Sequence, residues 1–292
     1  MTADVATLTR LINDEVIRAM GLRPEGWLGQ NLQPILSRAT RRFCELFARA
    51  DRIISEEGMA AASRSVLLSL ARSYEARGVE NIPRDGPLVI ASNHPGSIDS
   101  LTIGASAGRE DLKIIASDVP FLQSLTHIGE HLIFLPPRGL QERMLVMRNA
   151  LRHVMQGGAL LLFARGGIDP DPAFMSLAEV EQELTKWSRS LEIFLQKVPK
   201  AQVVTSIVSE VIEPRYMRHP LTWLQRARPD RQRLAEMLQI ISQMLGRKLD
   251  IVPHVSFGEP IAWRGASADD DALRTVVDAA KRLLKSHLAW QM

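Results

Sequence analysis

Apolar residues recur every three to four positions along the first quarter of the chain. Leu8, Leu11, Ile12, Val16, Ile17 and Met20 form one such stripe, the spacing of an amphipathic helix. A Gly- and Pro-containing stretch over residues 21–29 predicts a break. A second helix is expected over 33–56 and a third near 60–75, carrying Val66, Leu67, Leu70 and Tyr74. Residues 1–77 therefore read as a helical segment. The pattern changes at Gly78. Pro83-Arg84-Asp85-Gly86 signals a turn, and short apolar runs follow at 87–92, 112–117, 131–135, 159–163, 203–208 and 251–257, the lengths of buried strands. Helical periodicity lies between and after them, over 101–108, 143–156, 177–197, 230–247 and 269–288. This alternation predicts an α/β domain over 78–292, a sheet with helices on its faces.

Composition agrees with a folded chain: 46% of the residues are hydrophobic and 24% charged. No run of about 18 apolar residues predicts a membrane-spanning helix. Asp4, Asp14 and Glu15 interrupt the N-terminal stripe, unlike the apolar centre of a secretory signal, so a cytoplasmic location is expected. Cys44 is the only cysteine, which excludes an intrachain disulfide and a Cys-rich zinc site. Its place in an apolar helix reads as structural. The net charge is only +3, yet arginine outnumbers lysine 29 to 7. Arginine suits bidentate contact with phosphate and carboxylate. Motifs that read DNA or RNA are lacking, so nucleic acid is not the expected partner.

The candidate chemistry follows the first strong strand, where α/β proteins place functional loops. There the chain reads Ser92-Asn93-His94-Pro95-Gly96-Ser97-Ile98-Asp99. A Pro-Gly turn can fold Asp99 back onto His94, and a carboxylate on one ring nitrogen leaves the other free to accept a proton. On spacing alone, a turn histidine beside a helix-capping aspartate is the commoner reading. No Gly-x-Ser-x-Gly nucleophile accompanies the pair. His127-Ile128-Gly129-Glu130-His131 matches a zinc-protease pattern that must be helical. Gly129 is expected to interrupt it and His131 to begin a strand, so no metal site is assigned.

Residues 93–99 resemble the first motif of the PlsC-like glycerolipid acyltransferases, and the lead-in 78–92 and the late turn Val255 to Ile261 resemble them too. The resemblance implies a mixed sheet flanked by helices, with His94 as general base and Asp99 as its partner. It implies transfer of a fatty acyl group from an acyl thioester, acyl-CoA or acyl carrier protein, to a hydroxyl of a lysophospholipid, lysophosphatidate first and glycerol-3-phosphate second. No cofactor is implied beyond that co-substrate. The second family motif is similar to residues 131–139, which places Arg138 on an acceptor phosphate; the residues alone allow a solvated turn arginine. The third reads Phe-Pro-Glu-Gly-Thr-Arg in the family. Here Phe163-Ala164-Arg165-Gly166-Gly167-Ile168 keeps Phe163 and Gly166 but has Arg165 for the glutamate and Ile168 for the arginine. Arg165 is a candidate replacement charge, Asp169 a replacement acid, and the Gly166 and Gly167 amides an anion cradle. The same departures admit a non-catalytic lipid-binding protein that retains the fold. The fourth motif, 203–208, lacks the family's proline.

Residues 215–233 carry six arginines against Asp230, with Tyr216, Met217, Leu221, Trp223 and Leu224 among them. This mixture suits peripheral contact with an anionic membrane or an acidic carrier protein.

Overall fold

The structure, a computed structural model, describes residues 3–136, 139–198, 200–225, 227–262 and 272–291. The N-terminal helices are α1 (Val5–Ala19), α2 (Trp27–Glu57) and α3 (Met59–Leu70). Strand β1 (Glu75–Arg77) follows, then β2 (Leu88–Ser92), α4 (Asp99–Ala107), β3 (Lys113–Ser117), α5 (Pro120–Gln123), α6 (Thr126–Glu130) and β4 (Leu132–Leu135). Next come α7 (Leu140–Met155), β5 (Ala159–Phe163), α8 (Leu177–Leu184), α9 (Ser190–Lys197) and β6 (Gln202–Ser209). The chain continues with α10 (Pro214–Met217), α11 (Arg228–Met244), β7 (His254–Phe257), β8 (Ile261–Ala262) and α12 (Ala272–Gln291).

Among the described residues eight strands form one mixed sheet in the order β1-β7-β6-β2-β5-β3-β4, with β8 also on β6. β2 runs parallel to β5 and β6, whereas β7 and β8 run antiparallel to β6. The central strands are buried on both faces, which is why they read as unbroken apolar runs. Leu88 and Ile90 enter one core with α3 and α4; Val89 and Ala91 enter the other with α7, α8, α9 and α12. Burial of each Leu, Ile or Val side chain among them contributes about 1.5–3 kcal/mol. The expected α/β sheet with flanking helices and a helical N-terminal region is what the chain forms.

Several elements differ from the pattern-based expectation. α2 begins at Trp27 and takes in Gly29 and Pro34. A Cβ at Gly29 would lie 2.3 Å from Arg23 O, so the glycine permits a tight loop-to-helix approach rather than ending the helix. α3 stops at Leu70, because Arg72 donates its N–H to Ile251 O and the next residues add β1 to the sheet beside β7. The single helix expected over 177–197 is two helices. Ser188 N donates to Ala164 O at 2.7 Å, Trp187 is buried, and Ser188 Oγ receives the Ser190 N–H. β7 starts at His254 rather than 251, since Pro253 has no N–H for a ladder.

Gly129 does not interrupt its segment. Residues 126–130 are the helix α6, capped from α2 by buried Asp51, whose Oδ1 accepts the N–H groups of His127 and Ile128 at 2.8 Å. His131 follows the helix, with Nδ1 2.9 Å from Leu112 O. Among the described residues no group of three or more His, Cys, Asp or Glu is placed to hold a metal ion. No described helix is long and apolar enough to cross a membrane. Cys44 is buried in the seam between α1 and α2, beside Leu8, Ile12 and Phe121.

Candidate active site

The parallel register sets Ser92 beside Phe163 on one side and Ser206 on the other. The loops that leave β2, β5 and β6 therefore emerge together at one edge of the sheet. Asn93 prolongs the pairing with its side chain: Nδ2 donates to Val208 O and Oδ1 accepts from Val208 N, both at 2.8 Å. This carboxamide clamp fixes the point where the chain leaves the sheet, and the next residue is His94.

The Pro95-Gly96 turn brings Asp99, at the start of α4, back to the ring. His94 Nδ1 lies 2.7 Å from Asp99 Oδ2, and the same oxygen accepts the Gly96 N–H at 3.1 Å. Asp99 is fully buried, while the His94 side chain keeps 27% of its surface exposed. With Nδ1–H donated to the carboxylate, Nε2 is the nitrogen left to take a proton. The ring stacks on Phe163, centroids 4.0 Å apart, which fixes its plane. Burial disfavours the charged ring, but the Asp99 charge and hydrogen bond, with Glu236 and Asp169 behind them, hold its pKa above the ordinary histidine value.

Asp169 stands against the same loop. Its Oδ2 accepts the His94 N–H at 2.9 Å, and its own N–H donates to His94 O at 2.7 Å. Burial pushes its carboxyl up, opposed by the His94 N–H and by Arg165. Arg165 Nη1 meets Asp169 Oδ1 at 3.3 Å and Glu183 Oε2 at 2.8 Å. As a phosphate ligand it would have to share or exchange these carboxylates. Gly166 donates its N–H to Phe163 O, so that amide is already committed, and no side chain crowds Gly166 or Gly167. Arg138 lies outside the described residues.

Arg165→Met is expected to lower stability by about 1–2 kcal/mol. This is less than the loss for a fully buried pair, because the guanidinium is 28% exposed. Denaturant unfolding measures it; a raised acceptor KM with unchanged stability would instead make Arg165 an acceptor ligand.

Two further acids and one glutamine complete the surroundings. Asp171 is fully buried and accepts four backbone N–H groups, from Ala173, Glu210, Val211 and Ile212. Burial pushes its carboxyl up to about 6 against their pull. It holds the chain after β6, where Glu210 takes a left-handed φ of 58°. Gln232 and Glu236 reach the loop from α11. Sequence reading passed over both; the available signal was the spacing of Gln232, Glu236, Gln239 and Gln243 on one buried helix face. A cavity of about 620 Å³ lies elsewhere, between β4 and α7, lined by Lys113, Phe134, Pro136, Leu145, Arg152 and His153. His94 is not among its walls, and opens instead at the sheet edge.

Geometrically, His94 Nε2 is an oriented proton acceptor, and among the described residues no serine or cysteine side chain is hydrogen-bonded to the ring. No curated protein matches the chain. A crystal structure of the 1-acyl-sn-glycerophosphate (LPA) acyltransferase PlsC from Thermotoga maritima is similar at 15% identity, over 97% of this chain and 96% of that one, with a TM-score of 0.47. A family model described as Acyltransferase matches residues 73–209, the stretch that holds His94, Asp99 and the strands beneath them. Over that stretch the chain is similar to the acyltransferase family.

Proposed function

We propose that the protein transfers a fatty acyl group from an acyl thioester to a hydroxyl of a lysophospholipid, with lysophosphatidate as the leading acceptor. The 2.7 Å contact between His94 Nδ1 and buried Asp99, with the ring still open to solvent, carries this reading. His94 Nε2 takes the hydroxyl proton as the oxygen attacks the thioester carbonyl. The C–O bond forms, the C–S bond breaks, and the leaving thiolate receives the proton back from the imidazolium. A thioester is reactive enough for direct attack, so no acyl-enzyme is needed. Acyl-CoA and acyl carrier protein both supply such a donor. Arg138 is assigned to the acceptor phosphate by its place in the sequence, which gives glycerol-3-phosphate as the alternative acceptor. The alternative from another class is lipid binding without catalysis, motivated by Arg165 and Ile168.

Release of free thiol from an acyl thioester, with a panel of phosphorylated acceptors, separates these readings. Turnover that requires both the acceptor and His94 supports transfer; thioester binding without turnover supports the non-catalytic alternative. Arg138→Ala is expected to raise the acceptor KM, and an unchanged KM would remove its phosphate role.

The segment 215–233 supports a membrane-facing approach for such lipids. Tyr216 is turned inward, whereas Leu221, Trp223 and Leu224 are exposed. Arg218 stands near them, and Arg228 and Arg231 begin α11, Arg228 paired with Glu179. Aromatic and basic side chains in one exposed turn fit the interface of an anionic bilayer. Arg226 lies outside the described residues.

A further inference from the structure

Outside the family-matched segment, α11 carries a stripe of polar side chains on the face it buries. Gln232, Glu236 and Gln239 are spaced four and three residues apart, the interval that lines one side of a helix, and all are buried. A buried polar side chain requires partners, and each finds them on a loop at the site. Gln232 Nε2 donates to Pro95 O at 3.0 Å and to Asp169 O at 2.8 Å, while its Oε1 accepts the Asp171 N–H at 2.8 Å. Glu236 Oε1 accepts the Ser97 N–H at 2.6 Å. Gln239 Oε1 accepts the Glu213 N–H and its Nε2 donates to Val211 O, both at 2.8 Å.

One helix face thus holds three loops, those after β2, β5 and β6. Two of its side chains bracket the turn between His94 and Asp99, at Pro95 and Ser97. Gly96 lies between them with so little room that an added Cβ would sit 3.1 Å from Val211 Cγ2 and 3.3 Å from Glu236 Oε1. The turn is pressed onto α11 rather than merely near it.

We propose that α11 is the positioning element of the His94–Asp99 site, with Gln232 and Glu236 as the residues through which it fixes the turn that carries both side chains. The proposal rests on the acyl-transfer reading for its kinetic consequence, though not for its structural one. Glu236 acts in a second way, as charge. The groups facing His94 are Asp99 from α4, Asp169 with its Arg165 partner from the loop after β5, and Glu236 from α11, with Phe163 against the ring face. Glu236 favours the imidazolium without touching the ring. Glu236→Gln keeps an oxygen for Ser97 and removes the charge; Glu236→Ala removes both.

Two measurements test this on the full-length protein. The first follows the His94 ring by NMR titration. In Glu236→Gln its pKa is expected to fall, and the acid limb of the pH–rate profile to move to lower pH with it. The second is steady-state kinetics with a thioester donor. Glu236→Ala and Gln232→Ala are expected to lower kcat roughly 10–100-fold through misplacement of the base, with little change in donor KM. Glu236→Gln is expected to recover most of the loss seen in Glu236→Ala. An unmoved His94 titration in Glu236→Gln overturns the charge role of Glu236, and wild-type kcat in folded Glu236→Ala and Gln232→Ala overturns the positioning role of α11. Wild-type protein without turnover, or His94→Ala with full turnover, overturns the acyl-transfer reading instead, and the His94 ring signals of Glu236→Ala and Gln232→Ala, displaced from those of wild type or not, then decide the role of α11.

Discussion

His94→Ala is expected to lower the acyl-transfer rate roughly 10²–10⁴-fold, the range that a general base contributes. Without the imidazole the acceptor hydroxyl must lose its proton to water. The substitution should leave the fold in place. The ring is already 27% exposed, and its main packing contact is the stack on Phe163; that contact and the Asp99 hydrogen bond together are worth about 1–2 kcal/mol. Asp99 keeps the Gly96 N–H in the variant. Asp99→Asn is expected to reach a similar rate loss with the turn intact, because an amide no longer selects the Nδ1–H tautomer. Thiol release at saturating donor, alongside circular dichroism, reads both effects. A folded His94→Ala protein that turns over at the wild-type rate would sink the general-base assignment.

Acid is expected to destabilise the protein through His287, on α12. Its ring is buried between the hydroxyls of Ser209 and Ser256, each 2.8 Å from a ring nitrogen. Burial, with a smaller effect of His254, lowers its pKa from the ordinary 6.5 to about 3. Above pH 6.5 the ring is neutral in both folded and unfolded chains and contributes no slope. Below 6.5 the unfolded chain takes up a proton that the folded chain refuses, so stability falls as the pH falls. The loss is about 2 kcal/mol at pH 5 and on the order of 5 kcal/mol by pH 3. His94, Asp169, Asp171 and Glu236 all have raised values and oppose this trend within part of the window. The informative quantity is therefore the difference between wild type and His287→Gln. Urea unfolding at pH 7 and pH 5 should show a smaller acid loss in the variant; equal losses would show that the ring does not titrate on unfolding.

The central strands were legible because burial on both faces leaves a plain mark, an unbroken apolar run such as Leu88 to Ala91. The turn that joins His94 to Asp99 was legible for a similar reason, since Pro95 and Gly96 announce it locally. What escaped notice depends on partners distant in the chain. α6 is capped by Asp51, 76 residues before it, which no local pattern around Gly129 reveals. The helix over 177–197 breaks where Ser188 reaches Ala164, a contact invisible to periodicity. β1 is three residues long and has no alternation to read. The spacing of Gln232 and Glu236 puts them on one helix face, but their burial shows only when the loops after β2, β5 and β6 arrive to occupy it. Asp169 was noticed as an acid beside an altered motif, but its bond to the His94 backbone follows from the register of β2 with β5.

The brace on the His94 turn also sets an order of events during synthesis. Ser97 and Glu236 are 139 residues apart, so at ribosomal speeds the turn leaves the exit tunnel roughly 10–30 s before the helix that secures it. Throughout that interval the nascent chain already contains His94 and Asp99 while Pro95 O and Ser97 N have only water for company. Competence comes late in translation, and a chain released before residue 236 would carry the signature residues without the geometry that makes them useful.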